Sequence, residues 1–295
     1  MCRGGCGHKP AMWIDGGTHA REWISPAVVT WMMKEVVEKD WMHPHLTDKL
    51  DWYFLPVLNP DGYEYSRKPG NRMWRKTRSC YEKSCNDTCR GVDPNRNWNY
   101  QWNQGGSSED PCDLTFMGYR PFSEVENQNV RTFILRQKYK IKFFNSLHSY
   151  MQAVILPWCY TNDFRPRDFF KMKIMAERVR TNFFCKINST LITQINMPNY
   201  FLLQGVAALK AVHGYQYSVG NCQSLLRYTV SGVSADWALA VGKIPYSFGM
   251  ELRPDNFTPG PPGFELPASE IIPTGQETWA FHEVAAQMII FEFVP

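Results

Sequence analysis

Short apolar runs alternate with longer segments in which apolar residues recur every three or four positions, a pattern typical of strands alternating with helices. The predicted strands are Ala11–Asp15, Trp52–Leu58, Ile141–Leu147, Ala153–Leu156 and Tyr246–Leu252. The predicted helices are Ser25–Lys39, Ser123–Tyr139, Ala207–Val212, Ser234–Leu239 and Thr274–Phe291. This alternation predicts an α/β fold in which helices cover a sheet, and sites in such folds collect beyond the strand ends.

Local signals set the boundaries of several of these elements. Ser25, which a proline follows, predicts a helix start, and Ser123 with Glu126 has the spacing of a capping box. The segment Asn59–Gly62 predicts a turn that ends the second strand. Residues 71–103 are polar, arginine-rich and aromatic with little periodicity, so we expect a long structured loop there.

Composition narrows the class of protein. At 295 residues and 44% hydrophobic content, with no Pro/Gly/Ser linker, the chain is long enough for one large core. The net charge of +4 is mild and its basic residues are spread out, which argues against nucleic acid as a partner. No apolar run reaches the length that spans a membrane. We expect a monomer.

Nine cysteines indicate an oxidising compartment, and we expect an extracellular, secreted protein. Residues 1–10 are polar and glycine-rich and contain no apolar signal region. Three glycosylation sequons agree with secretion, although each alone is weak because chance matches are frequent. They begin at Asn86, Asn188 and Asn256.

Four residues from three distant segments have the chemistry of a catalytic zinc site. His19 and Glu22 lie three positions apart after the first strand, and His148 directly follows the strand Ile141–Leu147. Two histidines and one carboxylate leave the fourth tetrahedral zinc position open for water, as catalytic zinc sites do. Glu251 follows an apolar, strand-like run and could act as the base on that water.

Each of these residues also has a simpler explanation. His19 could be an ordinary loop histidine, and His148 a strand-end histidine satisfied by backbone groups. Glu251 is more informative because an unpaired charge beside a buried strand is costly. A metal or its water would explain it, and so would an ion pair with Arg253 or Arg21.

Arginines provide a second, independent signal. Arg72, Arg75 and the pair Asn95 and Arg96 lie in the polar loop region, and Arg21 lies inside the histidine–glutamate motif. Guanidinium groups bind carboxylates with paired hydrogen bonds, so arginines beside a metal fit a substrate with its own carboxylate. The alternative is a solvated basic loop.

From about Lys9 to its end, the chain closely resembles the zinc metallocarboxypeptidases of the pancreatic A/B type. The resemblance implies a three-layer α/β/α fold with a mixed, mostly parallel twisted sheet that lacks the family's N-terminal strands. It also implies a catalytic domain over residues 9–295 with an insertion near 164–197, preceded by an unassigned leader, residues 1–8. The matching segments are Trp13–Gly17 with His19–Ile24, Asn59–Gly62, Arg72–Arg78, Gly91–Trp98, His148–Tyr150, Ser231–Gly232 with Asp236–Trp237, Glu251–Arg253, Leu266–Ser269 and Gln276–Trp279.

The resemblance implies a role for each matching site residue. One Zn²⁺ would be held by His19, Glu22 and His148. Glu251 would be the general base and Arg75 would stabilise the oxyanion. Substrate would be bound by Asn95, Arg96, Tyr228, Arg21, Tyr150 and Phe264, and Ala235 would form the floor of the pocket for the terminal side chain. Asp93 would fix the tautomer of His19.

The cysteines follow the same resemblance in part. Cys89 and Cys112 match a disulfide of the family. Cys80 with Cys85, and Cys159 with Cys222, are two further candidate pairs, which spacing alone does not determine.

The expected activity is removal of single C-terminal residues from peptides or proteins. Because Ala235, Val230 and Val233 are apolar, we expect a preference for aliphatic or aromatic terminal residues. Two other functions stay open: a truncated, non-catalytic chain that binds zinc and peptide or is unstable, and a zinc amidohydrolase of the aspartoacylase type.

Overall fold

The computed structural model describes residues 9–80, 86–162, 197–255 and 263–294. The strands are β1 Ala11–Asp15, β2 Asp51–Leu55, β3 Ile141–Ser149, β4 Ala153–Leu156, β5 Ser218–Asn221 and β6 Tyr246–Leu252. The helices are α1 Ile24–Glu38, α2 Pro44–Lys49, α3 Pro60–Ser66, α4 Val125–Arg136, α5 Met197–His213, α6 Cys222–Leu226, α7 Ser234–Ala240 and α8 Ile271–Phe293. The leader predicted over residues 1–8, and all but the last residue of the predicted insertion, lie outside the described ranges.

The six strands form one sheet in the order β2-β1-β3-β6-β4-β5. Strand β1 runs parallel to β2 and β3, β3 runs parallel to β6, and β4 runs parallel to β5. The pair β4 and β6 is antiparallel. The prediction of a mixed, mostly parallel sheet is therefore confirmed.

Alternation along β1 shows how helices come to cover both faces of this sheet. Met12 and Ile14 belong to one core cluster, which contains residues of α1 and α8. Ala11 and Trp13 point to the opposite face and belong to a second cluster, which contains residues of α4 and α7. Because successive strand residues face opposite sides, both faces of β1 are apolar and both are buried. The result is the expected three-layer α/β/α arrangement.

Two predicted helix caps are wrong. Helix α1 begins before Ser25, whose hydroxyl accepts from the backbone N–H of Gly17 and donates to the carbonyl of Glu22. Ser123 lies outside α4 and its hydroxyl donates to Glu124, so no side chain caps that helix. In both places the serine hydroxyl bonds to other groups and does not cap the helix that it was predicted to cap.

The predicted turn at Asn59 is the start of a helix. Its side chain accepts from the backbone N–H of Gly62 at 2.9 Å and so caps α3. Sequence patterns also missed α2, α6 and β5. The long polar loop is confirmed where it is described, with one short 3₁₀ turn at Pro94–Arg96.

Two disulfides are present among the described residues, Cys89–Cys112 and Cys159–Cys222, as expected. The candidate pair of Cys80 with Cys85 lies partly outside the described residues, because Cys85 is not described. No helix in the described part of the chain is long and apolar enough to cross a membrane.

Candidate active site

The site lies beyond the carboxyl ends of three neighbouring parallel strands. The loop after β1 contains His19 and Glu22, and His148 is the penultimate residue of β3. Glu251 lies near the end of β6, directly opposite His148 in the strand register. Because the ends of parallel strands meet at one edge of a sheet, residues distant in sequence lie side by side here.

Three side-chain atoms converge at this edge, and all three residues are buried. His19 Nδ1 lies 2.7 Å from Glu22 Oε1, and His148 Nδ1 lies 3.1 Å from Glu22 Oε2. The two histidine Nδ1 atoms are 3.2 Å apart. Ligands at tetrahedral zinc, with bonds of about 2.0–2.2 Å, are separated by roughly 3.3 Å. The atoms present therefore fit a zinc ion in chemistry, and two of the three separations are close to this spacing, while the His19–Glu22 separation is shorter.

The charge states of His19 and Glu22 suit a metal, whereas at His148 the Glu22 carboxylate outweighs burial and raises the pKa of the imidazole. Burial, together with the nearby guanidinium of Arg75, lowers the pKa of His19. Burial opposes ionisation of Glu22, but the imidazoles of His19 and His148 hold the pKa of that carboxyl well below its usual range. A neutral imidazole and an ionised carboxylate are the forms that bind metal.

Asp93 connects His19 to Arg75. Its carboxylate accepts from His19 Nε2 at 3.0 Å and from the Nε and Nη2 atoms of Arg75 at 3.0 and 2.7 Å. Although burial opposes ionisation, Arg75 and Arg96 hold the pKa of Asp93 well below its usual range. With Nε2 donating to Asp93, Nδ1 of His19 is left free to face Glu22.

The polar residues predicted to bind a substrate carboxylate lie in the same cavity, which has a volume of about 320 Å³. Asn95 is oriented by the backbone N–H of Ser234, which donates to its Oδ1 at 3.0 Å. Arg96 is buried and donates to the carbonyls of Asn95 and Gly106, each at 2.9 Å. These contacts hold both side chains in place beside the His/Glu/His set.

Glu251 lines this cavity and is half-buried. Burial and the neighbouring Glu22 carboxylate raise its pKa to about 7. A carboxyl group with such a pKa can both accept and release a proton near neutral pH.

One end of the cavity is apolar. Val230, Val233 and the Cys159–Cys222 disulfide form a buried cluster, and Ala235 also lines this part of the cavity. Gly249 lies two residues before Glu251 on β6, so both face the same side of the sheet. Sequence patterns did not single out Gly249; a strand-interior glycine two positions before the candidate base was the available signal.

Of the remaining predicted residues, Tyr150, Tyr228 and Phe264 line the cavity, whereas Arg21 does not line it but contacts Phe264. Tyr228 is 52% exposed and lines the cavity. The guanidinium of Arg21 lies 4.3 Å from the centre of the Phe264 ring, and the Tyr150 ring lies 5.0 Å from the same ring. Arg72 does not line the cavity but donates to the carbonyl of Arg21 at 2.7 Å.

A buried His/Glu/His set beside a carboxyl group of raised pKa, at the strand ends of an α/β sheet, defines the class of zinc hydrolases. The sequence profile described as zinc carboxypeptidase matches residues 5–281, and the chain belongs to this family.

Comparison with two relatives and one solved structure supports this family membership. The chain is 38% identical to carboxypeptidase B of Astacus astacus, covering 95% of this chain and 81% of that protein. It is 39% identical to carboxypeptidase A2 of Rattus norvegicus, covering 92% of this chain but only 57% of that protein. Bovine thrombin-activatable fibrinolysis inhibitor, solved in complex with tick carboxypeptidase inhibitor, matches with a TM-score of 0.77 and 34% identity over 96% of this chain and 83% of that chain.

Proposed function

We propose that the chain is a zinc-dependent carboxypeptidase that removes single residues from the C-termini of peptides or proteins. The observation that carries the proposal is one cavity that combines a buried His/Glu/His set with Glu251, with Asn95 and Arg96, and with an apolar end. The His/Glu/His set with Glu251 suits hydrolysis. Asn95 and Arg96 suit a free carboxylate, and the apolar end suits an apolar terminal side chain.

Zinc would be held by His19, Glu22 and His148. When bound, it supplies a Lewis acid that polarises a carbonyl and lowers the pKa of water. Glu251 would accept a proton from the attacking water and then donate a proton to the leaving amine, for which its raised pKa is suited.

Arginines would stabilise negative charge on the substrate. Arg75, held by two hydrogen bonds to Asp93, would donate to the oxyanion that develops on the scissile carbonyl. Asn95 and Arg96 would bind the terminal carboxylate, and Tyr228 would cover it from the rim. Arg21, Tyr150 and Phe264 would contact residues that precede the scissile bond.

The apolar end of the cavity supports a preference for aliphatic or aromatic terminal residues. Its residues, including Ala235, present no charge to pair with a basic or acidic side chain. A pocket that discriminates by apolar fit separates similar residues by about 1–3 kcal/mol per methylene, so selectivity among apolar residues is modest. Charged residues are excluded more strongly because they would be buried without a partner.

The test compares blocked dipeptides that end in Phe, Leu, Lys and Glu, incubated with the zinc-loaded protein. We expect release of Phe and Leu with kcat/KM at least ~100-fold above that for Lys and Glu, about 2.7 kcal/mol of discrimination. Faster release of Lys or Glu would contradict the proposed preference. Absence of turnover on all four peptides by a folded, zinc-bound protein would favour the non-catalytic alternative.

We also propose an extracellular location. The two disulfides support it, because disulfides persist in oxidising compartments. Blocking free thiols before and after reduction of the secreted protein would test it: both bridges should be present, and free thiols at these four cysteines would contradict it.

A further inference from the structure

A chain of hydrogen bonds leads from the side of His148 opposite the metal-binding residues to a buried carboxylate. His148 Nε2 lies 3.1 Å from Ser146 Oγ. Ser146 Oγ donates to Asp15 Oδ1 at 2.6 Å, and Trp13 Nε1 donates to Asp15 Oδ2 at 2.7 Å. All four residues are buried.

Strand register brings these residues together. Strands β1 and β3 pair in parallel with Asp15 opposite Ser146. Trp13 and Asp15 face one side of β1, and Ser146 and His148 face one side of β3, because side chains alternate along a strand. A shift of one residue in either strand would separate these hydrogen-bonding partners.

The direction of each hydrogen bond is fixed by chemistry. An indole N–H can only donate, so Asp15 accepts from Trp13, and the ionised carboxylate also accepts from Ser146. With its proton directed to Asp15, the hydroxyl oxygen of Ser146 presents a lone pair to His148. Nε2 of His148 therefore donates to Ser146.

His148 Nε2 has a second neighbour, which offers no alternative acceptor for its proton. Asn95 Nδ2 lies 3.4 Å away, but an amide nitrogen only donates and cannot accept the imidazole proton. The nearer Ser146 oxygen can accept that proton. Nδ1 of His148 is then unprotonated and faces Glu22 and His19.

We propose that Asp15, acting through Ser146, is a positioning residue that holds His148 in the tautomer and orientation required to bind zinc. This inference rests on the proposed zinc-binding role of His148. The two histidines would then be oriented in different ways, His19 directly by Asp93 and His148 through a serine hydroxyl. Partners of this kind orient metal ligands and raise their basicity.

Asp15→Asn tests the donor and acceptor direction of these hydrogen bonds. Because Trp13 Nε1 requires an acceptor, the new amide would present its oxygen to Trp13 and its NH₂ group to Ser146. Ser146 would then donate to His148 Nε2 and favour the tautomer protonated on Nδ1, which cannot bind the metal. We expect zinc affinity to fall about 10–100-fold. Ser146→Ala removes the hydrogen bonds to Asp15 and His148 without reversing their direction, and we expect a smaller loss of zinc affinity.

Two further variants separate positioning from general damage. Trp13→Phe in the Asp15→Asn background lets the amide present its oxygen to Ser146, so we expect part of the zinc affinity to return. Ser247→Ala is the matched control, because Ser247 is a buried serine on the neighbouring strand that donates to the carbonyl of Ile244. We expect this control to bind zinc as the wild type does.

The readouts are the zinc Kd from chelator competition and the visible absorption of the cobalt-substituted protein, with circular dichroism as a folding check. Reduced affinity in Asp15→Asn, with an altered cobalt spectrum and an unchanged control, supports the inference. Wild-type affinity in folded Asp15→Asn and Ser146→Ala overturns it, as does an equal loss in all variants including the control. If Asp15→Asn does not fold, Ser146→Ala decides. A wild-type chain that binds no zinc overturns the proposed function itself.

Discussion

Acid sensitivity of the fold should depend on one buried histidine far from the metal-binding residues in sequence. His282 lies on α8, fully buried, with its ring edge-on to Phe143 and Phe281. Its Nδ1 donates to the carbonyl of Thr278 at 2.8 Å, and Asn145 Nδ2 lies 3.1 Å from its Nε2. Burial lowers its pKa from 6.5 to about 4. His282 is therefore neutral in the folded protein at neutral pH.

The size of the effect follows from the two pKa values. Between pH 6.5 and about 4 the unfolded chain binds a proton at this histidine and the folded chain does not, so unfolding becomes more favourable as the pH falls. The contribution of the neutral His282 to the free energy of unfolding is fully present above pH 6.5. At pH 5 the loss is about 2 kcal/mol, and it reaches roughly 3 kcal/mol by pH 4.

Urea unfolding of the metal-free protein at pH 7.5 and pH 5.0 measures this contribution. His282→Gln lowers stability at both pH values, because it loses the contacts to Thr278 and Asn145. We expect its drop in the free energy of unfolding between the two pH values to be about 2 kcal/mol smaller than that of the wild type. The exposed His45 provides the matched control, and His45→Gln should show the wild-type drop. An equal drop in His282→Gln and wild type would refute the reasoning.

Two further substitutions test the cavity. Asp93→Asn leaves one amide oxygen where the carboxylate uses two, one for His19 Nε2 and one for Arg75, and should weaken zinc binding about 10–100-fold in a chelator competition. Unchanged affinity would exclude a role for Asp93 in orienting His19. Gly249→Val should lower kcat/KM for peptides ending in Phe at least ~10-fold more than for those ending in Ala, because the new methyl groups would fill the apolar end. Among the described residues, Ile155 alone lies within 4 Å of an added Cβ, at 3.6 Å. An equal effect on both peptides would show that Gly249 does not limit the size of the terminal residue.

Much of the fold was predictable because it rests on local patterns. The apolar run Ala11–Asp15 predicts a strand buried on both faces, and β1 has that form. The strand that ends at His148 and the one that contains Glu251 were also predicted. Since parallel strands end at one edge, these predictions already implied that distant polar residues meet there.

The parts that could not be predicted depend on contacts between distant segments. Ser25 and Ser123 read as helix caps, but their hydroxyls are used by other groups in the fold. Asp15 and Ser146 are 131 positions apart, and only the register of β1 and β3 brings them together. Gly249 offers no side chain to a pattern search, and its importance comes from the space that its neighbours leave open.

The most direct test of the central claim is zinc content and turnover in the wild type and in Glu251→Gln, measured with a blocked dipeptide that ends in Phe. Glu251 lines the cavity but is not one of the three grouped metal-binding residues, so the variant should keep one zinc per chain. Our account predicts that the wild type releases Phe and that kcat of the variant falls at least ~100-fold. Equal turnover in both proteins, or one zinc per chain with no turnover in either, would contradict it.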